Sequence, residues 1–144
     1  MASRDSSEFY ERFAEVLRCI RAISEDAYAE LELGTAQAKF VRYIGAHGGI
    51  SQAALARATR TAPTLTGRVL GALVERGWVR RKRSDEDRRE YVLELTAAGQ
   101  RIRAQVDKAR AGVVAQLAKV LDDQDARDFE RIAGKILGAF AKPD

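Results

Sequence analysis

The chain is poor in the residues that build metal centres, disulfide frameworks and most hydrolytic active sites. Its 144 residues include one cysteine, Cys19, and one histidine, His47. One cysteine excludes an internal disulfide, and the two counts together exclude a Cys/His metal cluster. No nucleophile–base–orienter set and no phosphate-cradling glycine loop is recognisable either. The sequence therefore predicts neither an enzyme nor a cofactor or metal site.

Other features are also missing from the sequence. Two prolines and 11 glycines exclude a low-complexity or collagen-like chain. No apolar run approaches the ~18 residues of a membrane span, and the polar residues 1–7 lack the apolar core of a signal peptide. These absences predict a cytoplasmic protein of about one domain, without a membrane partner.

The positive charge is concentrated in one window, residues 68–89. The window contains eight basic and four acidic residues, so its net charge of +4 equals that of the whole chain. A charge run is usually a solvated surface, but a basic stripe on an otherwise neutral domain is also typical of a nucleic-acid binder. The arrangement of secondary structure around the window decides between these interpretations.

The hydrophobic periodicity predicts mainly helices. Apolar side chains at steps of three and four indicate a long amphipathic helix over residues 7–32. Three further helices follow: one ending near Gly48, a short one capped by Ser51, and one from Pro63 to Arg76. The first four predicted elements are therefore all helical.

A two-residue period then replaces the helical one. Residues 78–82 and 91–95 read as strands, and the highly charged residues between them form the tip of a hairpin. Thr96 caps another long helix, and a last helix begins near Asp122. The fold class is predicted as mainly α with a small β-wing, in the order α-α-α-α-β-β-α-α.

This order is that of a winged helix-turn-helix, whose second helix fits the DNA major groove. We expect a DNA-binding domain over 33–99, an N-terminal dimerisation helix over 1–32 and C-terminal dimerisation helices over 100–144. The flanking helices carry more apolar surface than one small winged domain can bury. A homodimer on a pseudo-palindromic site, with half-sites ~34–36 Å apart, follows from that excess.

The candidate DNA contacts lie on the helix beginning at Pro63 and on the hairpin. Leu65, Val69 and Leu73 are expected to face the core, which leaves the early polar residues and Arg68 facing outward. The candidates in and before this helix are Thr61, Pro63, Thr64, Thr66, Gly67 and Arg68. The candidates in the wing are Arg83, Asp87, Arg88 and Arg89. An arginine at the wing tip suits the negative potential of a narrow minor groove.

Five motifs in the middle of the chain form a recognisable set. They are Gln37, Leu55-Ala56, Leu73-Val74-Glu75-Arg76-Gly77-Trp78-Val79, Asp85-Glu86-Asp87-Arg88-Arg89 and Leu95-Thr96-Ala97-Ala98-Gly99. Through them, the stretch from Leu33 to Gly99 resembles the MarR family of bacterial transcription regulators. The resemblance implies a homodimer held by its first and last helices. It also makes Arg89 the minor-groove arginine, Asp87 its orienting partner and Arg88 a phosphate contact. Arg68 fits the family's recognition helix, whereas Gly67 departs from its frequent threonine.

The resemblance further implies a small aromatic acid as effector. Its candidate pocket residues are Phe13, Tyr28, Arg42, Tyr43 and His47. The alternative is that the aromatic residues belong to the core and that His47 is a loop residue near Gly48. Cys19 does not match the cysteine of the family's peroxide-sensing branch, whose counterpart falls near Tyr10. We expect Cys19 to be a small buried thiol.

The predicted function is a sequence-specific, double-stranded DNA-binding transcriptional repressor that acts as a homodimer and responds to a small aromatic ligand. Two alternatives remain open at this stage. One is a winged-helix module that binds an acidic protein, and the other is a regulator that senses redox state through Cys19.

Overall fold

The computed structural model describes residues 3–140, with side chains from residue 5 onward. The elements in chain order are α1 (Ser3–Ala29), α2 (Thr35–Ala46), α3 (Gln52–Ala58), α4 (Pro63–Glu75), β1 (Val79–Arg83), β2 (Tyr91–Leu95), α5 (Ala97–Ala118) and α6 (Asp123–Phe140). The predicted order and fold class are confirmed. The chain divides into two compact units, with the boundary after Arg110. The functional division into 1–32, 33–99 and 100–144 stays a prediction.

Helix α2 supplies the centre of the core in the first unit. Four of its side chains are buried, namely Ala38, Phe40, Val41 and Ile44. The same cluster includes Leu70 and Leu73 of α4, Leu93 of β2 and Val106 of α5. Since each of these helices and strands buries its apolar side against one cluster, the core sets the position of both α4 and the hairpin.

The end of α4 determines where the hairpin begins. Gly77 adopts φ +76°, a left-handed conformation that glycine takes without strain. The amide of Gly77 donates to the carbonyl of Val74 and the amide of Trp78 donates to that of Leu73, both at 3.0 Å. These two bonds close the last turn of the helix. Because Trp78 is used there, β1 begins at Val79 and extends to Arg83, one residue later than predicted.

The base of the hairpin is anchored to the loop between α2 and α3. Val79 pairs with Leu95 and Arg83 with Tyr91 in the antiparallel register. Leu93 also donates to the carbonyl of Ile50 at 2.8 Å and accepts from the amide of Gly49 at 3.0 Å. Strand β2 is therefore hydrogen-bonded to β1 on one edge and to the loop between α2 and α3 on the other. The tip of the hairpin extends beyond these contacts.

The junction between β2 and α5 explains why glycine follows threonine after the wing. Thr96 Oγ1 accepts from the amide of Gly99 at 3.0 Å and donates to the carbonyl of Gly77 at 2.6 Å. A Cβ placed on Gly99 would lie 2.0 Å from the carbonyl oxygen of Trp78. The start of α5 can therefore pack on the wing base only if residue 99 has no side chain.

Arg76 joins the end of α4 to the corner between α1 and α2. Its Nη1 donates to the carbonyl of Glu32 at 2.7 Å and to Oε1 of Gln37 at 3.2 Å. The guanidinium also lies 3.9 Å from the centre of the Trp78 ring. Arg76 belongs to the basic window, but its charge serves the fold.

We expect Gly99→Ala to lower the free energy of unfolding by about 1–3 kcal/mol, because the new methyl group collides with backbone that cannot rotate away. Urea denaturation measures the change. Gly112→Ala in the same helix is the matched control, since nothing lies within 4 Å of its Cβ. That substitution should stabilise the helix by about 0.5–1 kcal/mol. Equal unfolding midpoints for the two variants would contradict the packing argument.

We expect Arg76→Ala to cost about 1–2 kcal/mol of unfolding free energy, through the loss of two hydrogen bonds and one cation–π contact. The emission of Trp78, the only tryptophan in the chain, should shift as its ring loses the guanidinium. Arg88→Ala removes the same charge from the wing tip and serves as the control. An identical melting temperature and emission spectrum for both variants would show that Arg76 has no structural role.

Candidate nucleic-acid interface

The outward face of α4 lies near its N-terminus. The helix begins at Pro63, a position where the missing backbone N–H costs nothing. Pro63, Thr64, Leu65 and Arg68 are exposed. Arg68 lies about one helical turn after Thr64 and Leu65, on the same face of the helix. A helix with this pattern presents a short stripe of side chains to a partner.

Two expectations about the rotation of α4 are wrong. Thr66, expected to face outward as a DNA contact, is completely buried, and its Oγ1 donates to the carbonyl of Ala62 at 3.0 Å. Leu65, expected to face the core, is 43% exposed. The inner row is Thr66, Val69, Leu70 and Leu73, at steps of three and four. A hydroxyl can occupy that row because it is satisfied by the preceding turn of its own helix.

Thr61 and Gly67 face the short helix α3. Thr61 Oγ1 lies 3.0 Å from Oγ1 of Thr59 and donates to its carbonyl at 3.3 Å, within the turn between α3 and α4. A Cβ on Gly67 would lie 3.3 Å from the amide nitrogen of the Gln52 side chain. A cavity of about 540 Å³ lies between the two helices, beside Gln52, Arg57 and Thr61. A side chain at residue 67 would require only the flexible end of Gln52 to move by a few tenths of an ångström.

The wing tip is organised by side chains that bond to its backbone. Ser84 Oγ accepts from the amides of Glu86 and Asp87 at 3.2 and 3.3 Å. Asp87 Oδ1 accepts from the amide of Arg89 at 3.0 Å. Asp87 therefore positions the backbone that carries Arg89, as an Asx-type turn does. The side chains of Arg88 and Arg89 extend from a defined loop.

Arg83, predicted as a DNA contact, is engaged inside the wing. Its Nη1 donates to the carbonyl of Arg88, and its guanidinium lies 4.9 Å from the centre of the Tyr91 ring. Arg83 and Tyr91 are direct partners across the two strands. In this conformation Arg83, the last residue of β1, stabilises the wing tip through its bond to the Arg88 carbonyl.

The eight basic residues of the window separate into two groups of four. Arg76, Arg80, Lys82 and Arg83 have partners within the chain, since Arg80 pairs with Glu94 and Lys82 with Asp85. The side chains of Arg68, Arg81, Arg88 and Arg89 have no hydrogen-bond, ion-pair or ring partner among residues 3–140. Three of these four unpartnered arginines were predicted as DNA contacts.

Three further cations near this surface were not among the DNA contacts predicted from the sequence. Arg81 lies on β1, Arg57 lies on α3 beside the cavity, and Arg60 lies in the turn before α4 with φ +50°. None of the three side chains has a hydrogen-bond, ion-pair or ring partner within the described residues. Their positions in the helix-turn-helix and wing were the signal that could have identified them.

The predicted ligand residues occupy several environments in the first unit. Tyr28 belongs to the core, and Tyr43 packs against that core while its ring stacks on His47 at 4.2 Å. Arg42 Nε donates to Oδ1 of Asp107 on α5 at 3.1 Å. Phe13 stacks on Phe9 along α1, with 6.2 Å between ring centres. Their role in ligand binding stays a prediction.

Cys19 is exposed on α1, so the expectation of a buried thiol is wrong. The amphipathic pattern placed it beside Ile20, but residue 19 falls on the outer side of the helix. No group of three His, Cys, Asp or Glu side chains suited to a metal ion occurs within residues 3–140. No helix in the same range has the length and apolar character that a membrane crossing requires.

Comparison with solved structures shows the same fold in proteins of low sequence identity. The E. coli MarR variant complexed with operator DNA superposes with a TM-score of 0.82 at 22% identity, over 90% of this chain and 94% of that one. A putative MarR family regulator from Listeria monocytogenes, complexed with a 26mer DNA, gives 0.80 at 19% identity over 92% and 88%. A MarR transcriptional regulator from Methanosarcina mazei Go1 gives 0.77 at 21% identity over 92% and 96%.

Sequence comparison points the same way as the wing motifs. No curated protein sequence matches the chain. Residues 32–90, from the end of the α1–α2 corner to the wing, match the model described as MarR family. This match covers 59 of the 144 residues, and together with the shared winged-helix fold it confirms that this part of the chain resembles the MarR family.

Proposed function

We propose that this protein is a sequence-specific regulator that binds double-stranded DNA as a homodimer, on a pseudo-palindromic operator, and represses transcription. The observation that carries the proposal is the placement of unpartnered arginines. Arg68 lies on the outward face of α4, while Arg88 and Arg89 lie at the wing tip. These are the two elements that a winged helix directs into adjacent grooves of one duplex.

The pairing of charges supports a polyanionic partner. An arginine without an internal partner remains available for phosphate or base contacts, and each neutralised phosphate releases condensed counterions. Arg57 and Arg60 add cations to the helix-turn-helix side of the same surface, and Arg81 adds one to the wing. Arg80 and Lys82 contribute less because Glu94 and Asp85 offset their charge.

The internal bonds of the wing tip support a preorganised contact. Ser84 and Asp87 hold the loop backbone, and Arg83 ties its own strand end to the carbonyl of Arg88. A loop already ordered loses less conformational entropy on binding than a free one. Arg89 would enter the minor groove and Arg88 would contact the adjacent phosphate. Two proteins that share this fold, E. coli MarR and the Listeria protein, are complexed with DNA, which supports a DNA partner for the fold.

The apolar face of α6 supports a homodimer. This helix has 18 residues, and none of them is buried in the isolated chain. Phe129, Leu137 and Phe140 are 64%, 56% and 74% exposed. Covering a large apolar side chain is worth about 1.5–3 kcal/mol, and α1 carries a second exposed stripe that includes Phe9 and Leu17. A second copy of the chain would cover such faces symmetrically.

A small aromatic acid remains the proposed effector. The stacked rings of Tyr43 and His47 supply a flat apolar surface, and Arg42, the residue before Tyr43 in the sequence, supplies a guanidinium. Asp107 occupies that guanidinium in the free protein. A ligand carboxylate would take the place of Asp107 and loosen the link between α2 and α5. Helix α4 and the wing hairpin, which carry the proposed DNA contacts, pack on α2. A ligand that shifts α2 would therefore also shift these elements.

We expect operator affinity to fall steeply with salt. The operator is first obtained by selecting bound fragments from genomic DNA. Neutralising about 6–10 phosphates per dimer should give a log–log slope of about −5 to −9 against salt concentration. A slope near zero, or displacement of DNA by an acidic protein at equal charge, would instead favour a protein-interaction module.

Arg89→Ala should weaken operator binding by about 5- to 150-fold per half-site, since a base-proximal arginine contributes on the order of 1–3 kcal/mol. Fluorescence anisotropy with a labelled operator measures the loss. Arg12→Ala on α1 removes the same charge from an exposed pair with Glu15 and should leave the affinity within about twofold. Wild-type affinity in the Arg89 variant would remove the wing tip from the interface.

Leu137→Glu should convert the dimer to a monomer, because it places a charge in an apolar contact. Sedimentation equilibrium gives the mass, and circular dichroism checks that the helices persist. Lys135→Glu introduces the same side chain about 200° around α6 and should leave the dimer intact. A monomeric wild-type protein that still binds its operator would refute the dimer.

A further inference from the structure

One side chain on the outward face of α4 is neither part of the core nor suited to phosphate. Leu65 is 43% exposed, although its helix has a well-formed inner row beginning at the next residue. Its neighbours on the face are Thr64 and Arg68, which are both exposed. Exposure of a single leucine is ordinary on a protein surface. Here, however, it lies on the helix that the proposed function directs into the major groove.

The same face offers few other side chains that could read bases. After Arg68, the next outward position is Gly71, which has no side chain and nothing within 4 Å. Glu75 follows, and its carboxylate would be repelled by phosphate. Readout from the outward stripe of α4 therefore depends on Thr64, Leu65 and Arg68, and Leu65 is the apolar member of the three.

The chemistry of the groove limits what a leucine can contact there. Among the four bases, only thymine presents an apolar group in the major groove, its 5-methyl. A leucine placed over a guanine, cytosine or adenine edge would cover donors or acceptors without satisfying them. We propose that Leu65 is a specificity-determining residue that contacts a thymine 5-methyl group in each half-site. This inference rests on the proposed DNA-binding function.

The spacing on the helix also restricts where that thymine lies. Residues three apart on one face have Cβ atoms about 5–6 Å apart, and successive base pairs are about 3.4 Å apart. The base pair contacted by Leu65 is therefore one or two steps from the base pair contacted by Arg68. Arginine pairs best with guanine O6 and N7. Each half-site should thus contain a thymine within two base pairs of a guanine, counted on either strand.

Uracil scanning tests the proposal one methyl group at a time. Each thymine of the selected operator is replaced by deoxyuridine, symmetrically in both half-sites, which removes only the 5-methyl. Losing one buried methyl contact is worth roughly a fourfold change in affinity per half-site. One position should show this loss with the wild-type protein and none with Leu65→Ala, while Leu65→Met retains it. In parallel, 7-deazaguanine scanning against Arg68→Ala locates the guanine.

The outcomes distinguish a failure of the Leu65–thymine contact from a failure of the proposed DNA-binding function. Uracil at flanking positions outside the half-sites is the DNA control, and thermal melting checks the fold of each variant. If the protein selects an operator but no thymine shows Leu65-dependent loss, the leucine inference is wrong and the regulator remains. A sensitive thymine more than two base pairs from the Arg68-dependent guanine also overturns it. If no operator is selected at all, both the inference and the proposed function fail.

Discussion

The packing of α4 on the core is the constraint on which the proposed DNA-binding surface depends. Its inner row, from Thr66 to Leu73, is buried in the cluster built around α2. Burial of that row sets the rotation of the helix, and the rotation decides which side chains face outward. If α4 were rotated about its axis by one residue, about 100°, Leu65 would take the buried position of Thr66. The specificity of the proposed interface is thus a consequence of packing on the opposite side of the helix.

The basic residues between 68 and 89 have two different roles. Half of the basic residues in the window are partnered inside the chain and hold the hairpin, its tip and the end of α4 in place. The side chains of the other half have no partner among the described residues, which leaves them available for an external one. Net charge alone does not separate these groups, because the distinction depends on distances of a few ångströms. It is the second group that makes the surface suitable for a polyanion.

Much of the fold was predictable because its signals are local. The order of helices and strands follows from apolar periodicity, and the ends of α4 follow from Pro63 and Gly77. The start of β1 was predicted one residue early because the amide of Trp78 closes the preceding helix. The exposure of Cys19 was missed because a single step around an amphipathic helix changes a side chain from inner to outer. Thr66 was assigned outward because it is polar, although its own helix satisfies its hydroxyl.

The sequence by itself determined the winged helix-turn-helix class, the concentration of charge between residues 68 and 89, and the motifs that match the MarR family. These depend on residue type and spacing along the chain, which are visible without coordinates. Only the tertiary structure decided that Leu65 faces outward, that Arg76 and Arg83 serve the fold, and that Arg57, Arg60 and Arg81 join the unpartnered cations. Those facts depend on contacts between residues distant in sequence and on the exact phase of each helix, which the burial of the whole core selects.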